Sequence, residues 1–154
     1  MGSKSDILRN ILRLLAFVGF LDAAYLTIEH FSGKIPPCTL VDGCNSVLTS
    51  QYATLGPVPL ALAGVLYYVS LFVLISAASG QSAGRYASLA MFLLSVGLAA
   101  SLGLIYLQWQ VIEAFCFYCL VSASVTILMF ALSIIWRRRL VVAADQYAIQ
   151  GTSK

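Results

Sequence analysis

Four runs of apolar and small residues, at roughly 11–31, 59–78, 86–114 and 115–136, each have the length needed to cross a bilayer and leave little chain for anything else. A hydrocarbon core about 30 Å thick takes ~20 residues of helix, and a helix satisfies all of its own backbone donors and acceptors there. The expected fold is therefore an all-α membrane protein, a four-transmembrane-helix bundle. With 60% hydrophobic and only 10% charged residues, the composition argues against a water-soluble domain. The third run is longer than one crossing requires and is expected to tilt or to project beyond the lipid. What remains is a loop at 32–58 and a tail at 140–154, the latter expected to be short, polar and mobile. One integral membrane domain, 1–154, is the expected organisation. Lys4, Arg9 and Arg13 ahead of the first run give it some likeness to a secretory signal, but the run is too long and no small-residue cleavage site follows, so a retained helix is expected.

Basic residues set the orientation, because they stay on the cytoplasmic side of short loops. Under four crossings Lys4, Arg9, Arg13, Arg85, Arg137, Arg138, Arg139 and Lys154 share one side, and Lys34 alone takes the other. Both termini are thus expected in the cytoplasm, with the 32–58 loop and the short connection near 113–115 outside. All four cysteines, Cys38, Cys44, Cys116 and Cys119, then gather at the outer face. In a bacterium that is the oxidising side, where disulfides form and persist.

The pair Cys116 and Cys119, in FCFYC, stands where the fourth helix should begin. Unpaired N–H groups and the positive end of the helix dipole favour a thiolate at Cys116, while Glu113 partly opposes it. C-x-x-C spacing lets one thiol attack and the other resolve within a single turn. As a brace it would do little, since a two-residue spacer closes almost no chain entropy. Cys38 and Cys44 lie instead in a polar loop, IPPCTLVDGCNSVLTSQY, where Pro36 and Pro37 stiffen the approach and Asp42-Gly43 suits a turn. Asn45 or Ser46 can cap a short helix running to about Tyr52. That pair reads as readily as a loop staple as a shuttle, but two pairs at one surface favour a relay, because thiol exchange moves two electrons without a bound cofactor.

Other chemistries fit less well. C-x-x-C is also half of a zinc site, yet structural zinc favours reducing compartments and small polar domains, and His30 reads as a lone interfacial residue, so no metal is expected. No GxGxxG, P-loop, HExxH or Ser-His-Asp pattern occurs. Arg137 to Arg139 follow from topology and lipid headgroups rather than from nucleic acid. Asp22, inside the first run, is expensive in lipid and is either functional or bonded to a neighbouring hydroxyl within the bundle. A non-catalytic tetraspan with structural disulfides is the alternative of a different class, although the second outer connection is too short to carry binding information.

The order of these features resembles the vitamin K epoxide reductase family, particularly its bacterial homologues. The likeness runs from about Val18 to Trp136 and rests on LDAAYLTIEHF at the end of helix one, C-x5-C in the first outer loop, Ser50 six residues after its second cysteine, Gly56-Pro57-x-Pro59 leading into the second helix, Gly64, and F-C-x-x-C opening the fourth. The resemblance implies a quinone-dependent thiol oxidoreductase of the bacterial inner membrane that generates disulfides on the periplasmic or extracellular side. Its electron acceptor would be a quinone of the menaquinone, ubiquinone or vitamin K type. It further implies that Cys119 meets the quinone, that Cys116 exchanges with the loop through Cys44, and that Cys38 and Cys44 meet a thioredoxin-fold partner. Leu48, Ser50, Leu60, Tyr67 and Ala123 are the quinone-site residues it suggests. Leu60 and Ala123 stand where the vertebrate enzymes carry an asparagine and a tyrosine, which favours quinone reduction over the alternative of vitamin K epoxide reduction. Many bacterial relatives carry a fused thioredoxin-like domain; with none after the fourth run, the expected partner is a separate, DsbA-like protein. The rival four-helix family that feeds ubiquinone carries its two cysteine pairs in the reverse order.

Overall fold

The structure is a computed structural model, which describes residues 2–37 and 43–152. Along the chain run α1 (Gly2–Phe31), a short α2 (Cys44–Leu48), a hairpin of β1 (Thr54–Leu55) and β2 (Val58–Pro59), then α3 (Leu60–Ala77), α4 (Ala83–Gln110) and α5 (Phe117–Thr152). Four of these helices are long and apolar enough to cross a membrane, over Ser5–Phe31, Leu60–Ala77, Ala83–Gln110 and Phe117–Val142. α1 packs on α3 and α5, and α4 packs on the same two, which closes a four-helix bundle.

The helices are apolar all round, as lipid requires on one side and the core on the other. Leu12, Ala16, Leu71, Ile75, Ala90, Leu94, Met129 and Trp136 fill the centre, whereas Leu14, Phe17, Leu66 and Phe92 face outward. With lipid as apolar as the core, close packing holds such a bundle together, and small residues permit it. Gly19 lies directly under the ring of Tyr68, in space that any Cβ would claim. Tyr68 then donates its hydroxyl to the Ser122 carbonyl at 3.0 Å and sits 2.8 Å from Ser122 Oγ and 3.1 Å from Thr126 Oγ1, tying α3 to α5. At the other end Arg9 and Arg13 donate to the Ala78 and Ser76 carbonyls at 3.1 and 3.5 Å, satisfying acceptors that the end of α3 leaves open.

Several boundaries differ from expectation. α1 begins at Gly2, ahead of its apolar run, with Leu8 already packed against the core and Arg9 bonded to the Ala78 carbonyl. α4 ends at Gln110 rather than 114. The largest correction concerns the residues from 140 on, expected as a mobile polar tail: α5 continues through Thr152. That segment holds good helix formers and no glycine or proline before Gly151, and hydropathy is blind to a helix that leaves the lipid. In the outer loop the short helix starts at Cys44, with Gly43 and not Asn45 or Ser46 at its N-cap, and stops at Leu48 before a 3₁₀ turn at Gln51–Ala53.

Candidate active site

The loop reaches the C-x-x-C pair through a glycine. Gly43 sits so close to the connection between α4 and α5 that a Cβ on it would lie 2.5 Å from the Phe115 carbonyl oxygen and 2.7 Å from the Phe115 nitrogen. That contact seats Cys44 in one buried cluster with Val47 and Cys116, the two cysteines being 1% and 0% exposed. Tyr118 supplies a second strap, donating to the Pro37 carbonyl at 3.2 Å. Cys44 is disulfide-bonded, while Cys116 and Cys119 are free thiols. Cys38 lies outside the described residues.

Cys116 precedes the first residue of α5 and so presents its sulfur to the first-turn donors. A hydrogen bond from the Cys119 thiol, helped by the backbone N–H groups of Cys119 and Tyr118, outweighs burial and the charge of Asp22, and the Cys116 thiol is pulled down to about 7. At neutral pH far more of it is thiolate than of an ordinary cysteine.

The connection that aims Cys116 is built by Gln108, a residue the sequence reading passed over. α4 closes with Val111 and Ile112 both donating to the Leu107 carbonyl at 3.0 Å, Glu113 turns left-handed at φ 53°, and Ala114 donates back to the Gln108 carbonyl at 3.1 Å. Gln108 itself is 3% exposed, and its side-chain Oε1 accepts the backbone N–H of Cys116 at 2.8 Å. Replacing it with leucine strands that donor in a buried site, at a cost of about 1–3 kcal/mol. The Gln108→Leu chain is expected to melt several degrees lower in detergent and to alkylate faster at Cys116.

Beside this cluster lies a cavity of about 750 Å³, within the range of small-molecule sites and mostly apolar in its walls. Leu48, Ser50, Leu60, Tyr67 and Ala123, the residues singled out from sequence, all line it, and so does Cys119. Cys116 is not among the lining residues. The two thiols of one C-x-x-C are therefore divided, Cys119 toward the cavity and Cys116 toward the loop. Ser50 donates to the Val47 carbonyl at 2.7 Å, which fixes the end of α2 at the cavity wall. Two polar atoms of the lining residues, Asp22 Oδ2 and the Tyr67 hydroxyl, are buried and make no hydrogen bond of ordinary geometry. Phe117 and Tyr118 pack on the cysteine cluster instead, and Tyr106 and Trp109 point outward, as interfacial aromatics do.

The model of the vitamin K epoxide reductase family matches residues 10–134. The chain is also similar to the thiol-disulfide oxidoreductase LTO1 of Arabidopsis thaliana, at 34% identity over 126 residues, which cover 74% of this chain. It spans about a third of the length of that curated relative, 32%.

Proposed function

Because the chain belongs to the vitamin K epoxide reductase family, we propose that it is a membrane thiol oxidoreductase that makes disulfides in a thioredoxin-fold partner and passes the electrons to a membrane quinone. The observation that carries this reading is the division of one dithiol between two environments: Cys116 packs with the disulfide-bonded Cys44, while Cys119 lines an apolar cavity. A partner protein works in water and an isoprenoid quinone in lipid, and a pair that faces both can serve both.

In the proposed cycle the partner's dithiolate attacks the loop disulfide, which we take to join Cys38 to Cys44. The partner leaves as a disulfide and the loop holds two thiols. Cys44 then exchanges with the Cys116–Cys119 disulfide across their shared cluster, which restores the loop disulfide and reduces the C-x-x-C. Oxidation of that dithiol sends two electrons and two protons to the quinone, and quinol leaves. The cavity fits such a substrate: apolar walls at Leu48, Leu60 and Ala123 suit a ring and its tail, and the unsatisfied Tyr67 hydroxyl offers a donor to a ring oxygen. The direction of flow follows the potentials of partner and quinone, 30 mV being worth ~1.4 kcal/mol for two electrons. Arg9 and Arg13 sit at the bundle end away from the cysteines, and the tendency of basic residues to stay on the cytoplasmic side supports the reading that the cysteines face outward.

The test is oxidation of a reduced thioredoxin-fold protein by the purified chain in lipid vesicles, with menaquinone, ubiquinone and vitamin K compared. Loss of partner thiols should require quinone, with two thiols lost for each quinol formed. Partner oxidation that proceeds equally without quinone would refute the acceptor. Because the thiolate is the attacking species, the rate at which Cys116 enters exchange should climb as pH rises to about 7 and level off above it. An unassisted thiol would keep climbing to about 8.5.

A further inference from the structure

Asp22 has no task in the cycle above, yet it occupies an expensive position. It lies on α1 within the membrane-spanning Ser5–Phe31, where an ionisable side chain is retained for function or for a partner. Among the described residues the ion pair joins Arg9 to Asp6, and Oδ2 of Asp22 is buried without a hydrogen bond. The nearby Tyr68 hydroxyl, within reach of the Asp22 charge, is committed to Ser122 and Thr126. Asp22 does line the cavity that Cys119 lines, and it lies close enough to Cys119 and Cys116 to interact electrostatically with both. The other carboxyl at the cavity, Glu29, lies two helical turns further along α1, near the exposed His30 and Lys34.

Reduction of a quinone in such a place raises a proton problem. Two electrons alone would leave charged oxygens in apolar surroundings, which costs far more than a protonated oxygen. Leu60 and Ala123 offer nothing to relieve it. We propose that Asp22 is the proton donor to the quinone, handing its carboxyl proton to one ring oxygen and recovering a proton from the Cys116–Cys119 pair. Over one turnover the two S–H bonds break and the S–S bond forms, and two electrons pass to the quinone. One thiol proton travels by way of Asp22; the other is released to water at the cavity mouth, from which the second ring oxygen takes its proton. Asp22 ends the cycle as it began.

The proposal rests on the quinone reading given above, and the experiment separates the two. Full-length chain in lipid nanodiscs, reduced at Cys116 and Cys119, is mixed with excess menaquinone and quinol formation is followed in a single turnover. In parallel, exchange of the same dithiol with a small disulfide reagent is timed. For Asp22→Asn quinol formation should fall by about 100- to 10,000-fold, the usual weight of general acid catalysis. Its exchange with the disulfide reagent should stay within about threefold, and Asp22→Glu should regain at least about a tenth of the quinol rate. Asp22→Asn that forms quinol at the unaltered rate overturns the proposal. So does parallel loss of quinol formation and thiol exchange in both variants, which would mark Asp22 as a packing residue. If the unaltered chain exchanges thiols but reduces no quinone, the acceptor reading itself fails and takes this step with it.

Discussion

A Cys119→Ala chain is expected to form no quinol and to accumulate a mixed disulfide between Cys44 and Cys116. Cys44 is disulfide-bonded in the structure and shares a buried cluster with Cys116, whose thiol is pulled down to about 7. Attack by the Cys116 sulfur on Cys44 forms the Cys44–Cys116 bond and releases the loop's other sulfur as a thiolate. This is the proposed exchange run backwards, and in the unaltered chain the Cys119 thiol, hydrogen-bonded to Cys116, resolves the bond by attacking Cys116, which closes the C-x-x-C disulfide and frees Cys44. Without Cys119 that second displacement has no nucleophile, and the cavity loses the sulfur that lines it. Removing a residue that acts covalently costs several orders of magnitude, so quinol formation should drop by more than about 1,000-fold. Peptide mapping without reductant should find the linked Cys44 and Cys116 fragments in Cys119→Ala and not in Cys116→Ala. Turnover at the normal rate in Cys119→Ala would remove the basis for assigning the quinone step to this thiol.

Much of this arrangement could be read from the residues, and what could not has identifiable reasons. Bilayer physics makes hydropathy nearly sufficient for a bundle of four spans, since continuous apolar runs of this length satisfy their backbone in lipid only as helices. The two cysteine pairs were equally plain. Which thiol faces which way was not a matter of spacing: Cys116 stands just before α5, so its direction is set by the connection and not by helical periodicity. That connection depends on Gln108 reaching forward eight residues to the Cys116 N–H and on a left-handed Glu113, and a polar residue in an apolar run announces itself without naming its partner. Asp22 was conspicuous for its cost, but its unsatisfied oxygen at the cavity needed three dimensions. Past Val142 the hydropathy signal ends and helix propensity alone carries α5 to Thr152, a weaker cue that suggested a tail.

Gly43 looked like a turn residue, chosen for flexibility, and its backbone shows otherwise. Its φ of −86° and ψ of −1° are open to any amino acid, so conformation does not demand glycine there. Contact does: a Cβ would meet the Phe115 carbonyl oxygen at 2.5 Å, its nitrogen at 2.7 Å and Ala114 Cβ at 3.0 Å, and two of those are backbone atoms that cannot swing aside. Gly43→Val should therefore lift the start of α2 off the α4–α5 connection, carrying Cys44 away from Cys116 while leaving α5 and the cavity-facing Cys119 in place. Exchange between the sulfurs requires near-attack geometry, and a displacement of about 1 Å can cost about 100-fold. Oxidation of a protein partner should fall by roughly that factor, whereas a small membrane-permeant dithiol, which bypasses the loop, should drive quinol formation at close to the normal rate. The ratio of the two rates is the measurement, because a chain that merely unfolds loses both. Equal loss would mean that Gly43 supports the fold as a whole; equal retention would mean that the loop and the C-x-x-C pair need not touch, and the route from Cys44 to Cys116 would have to be abandoned.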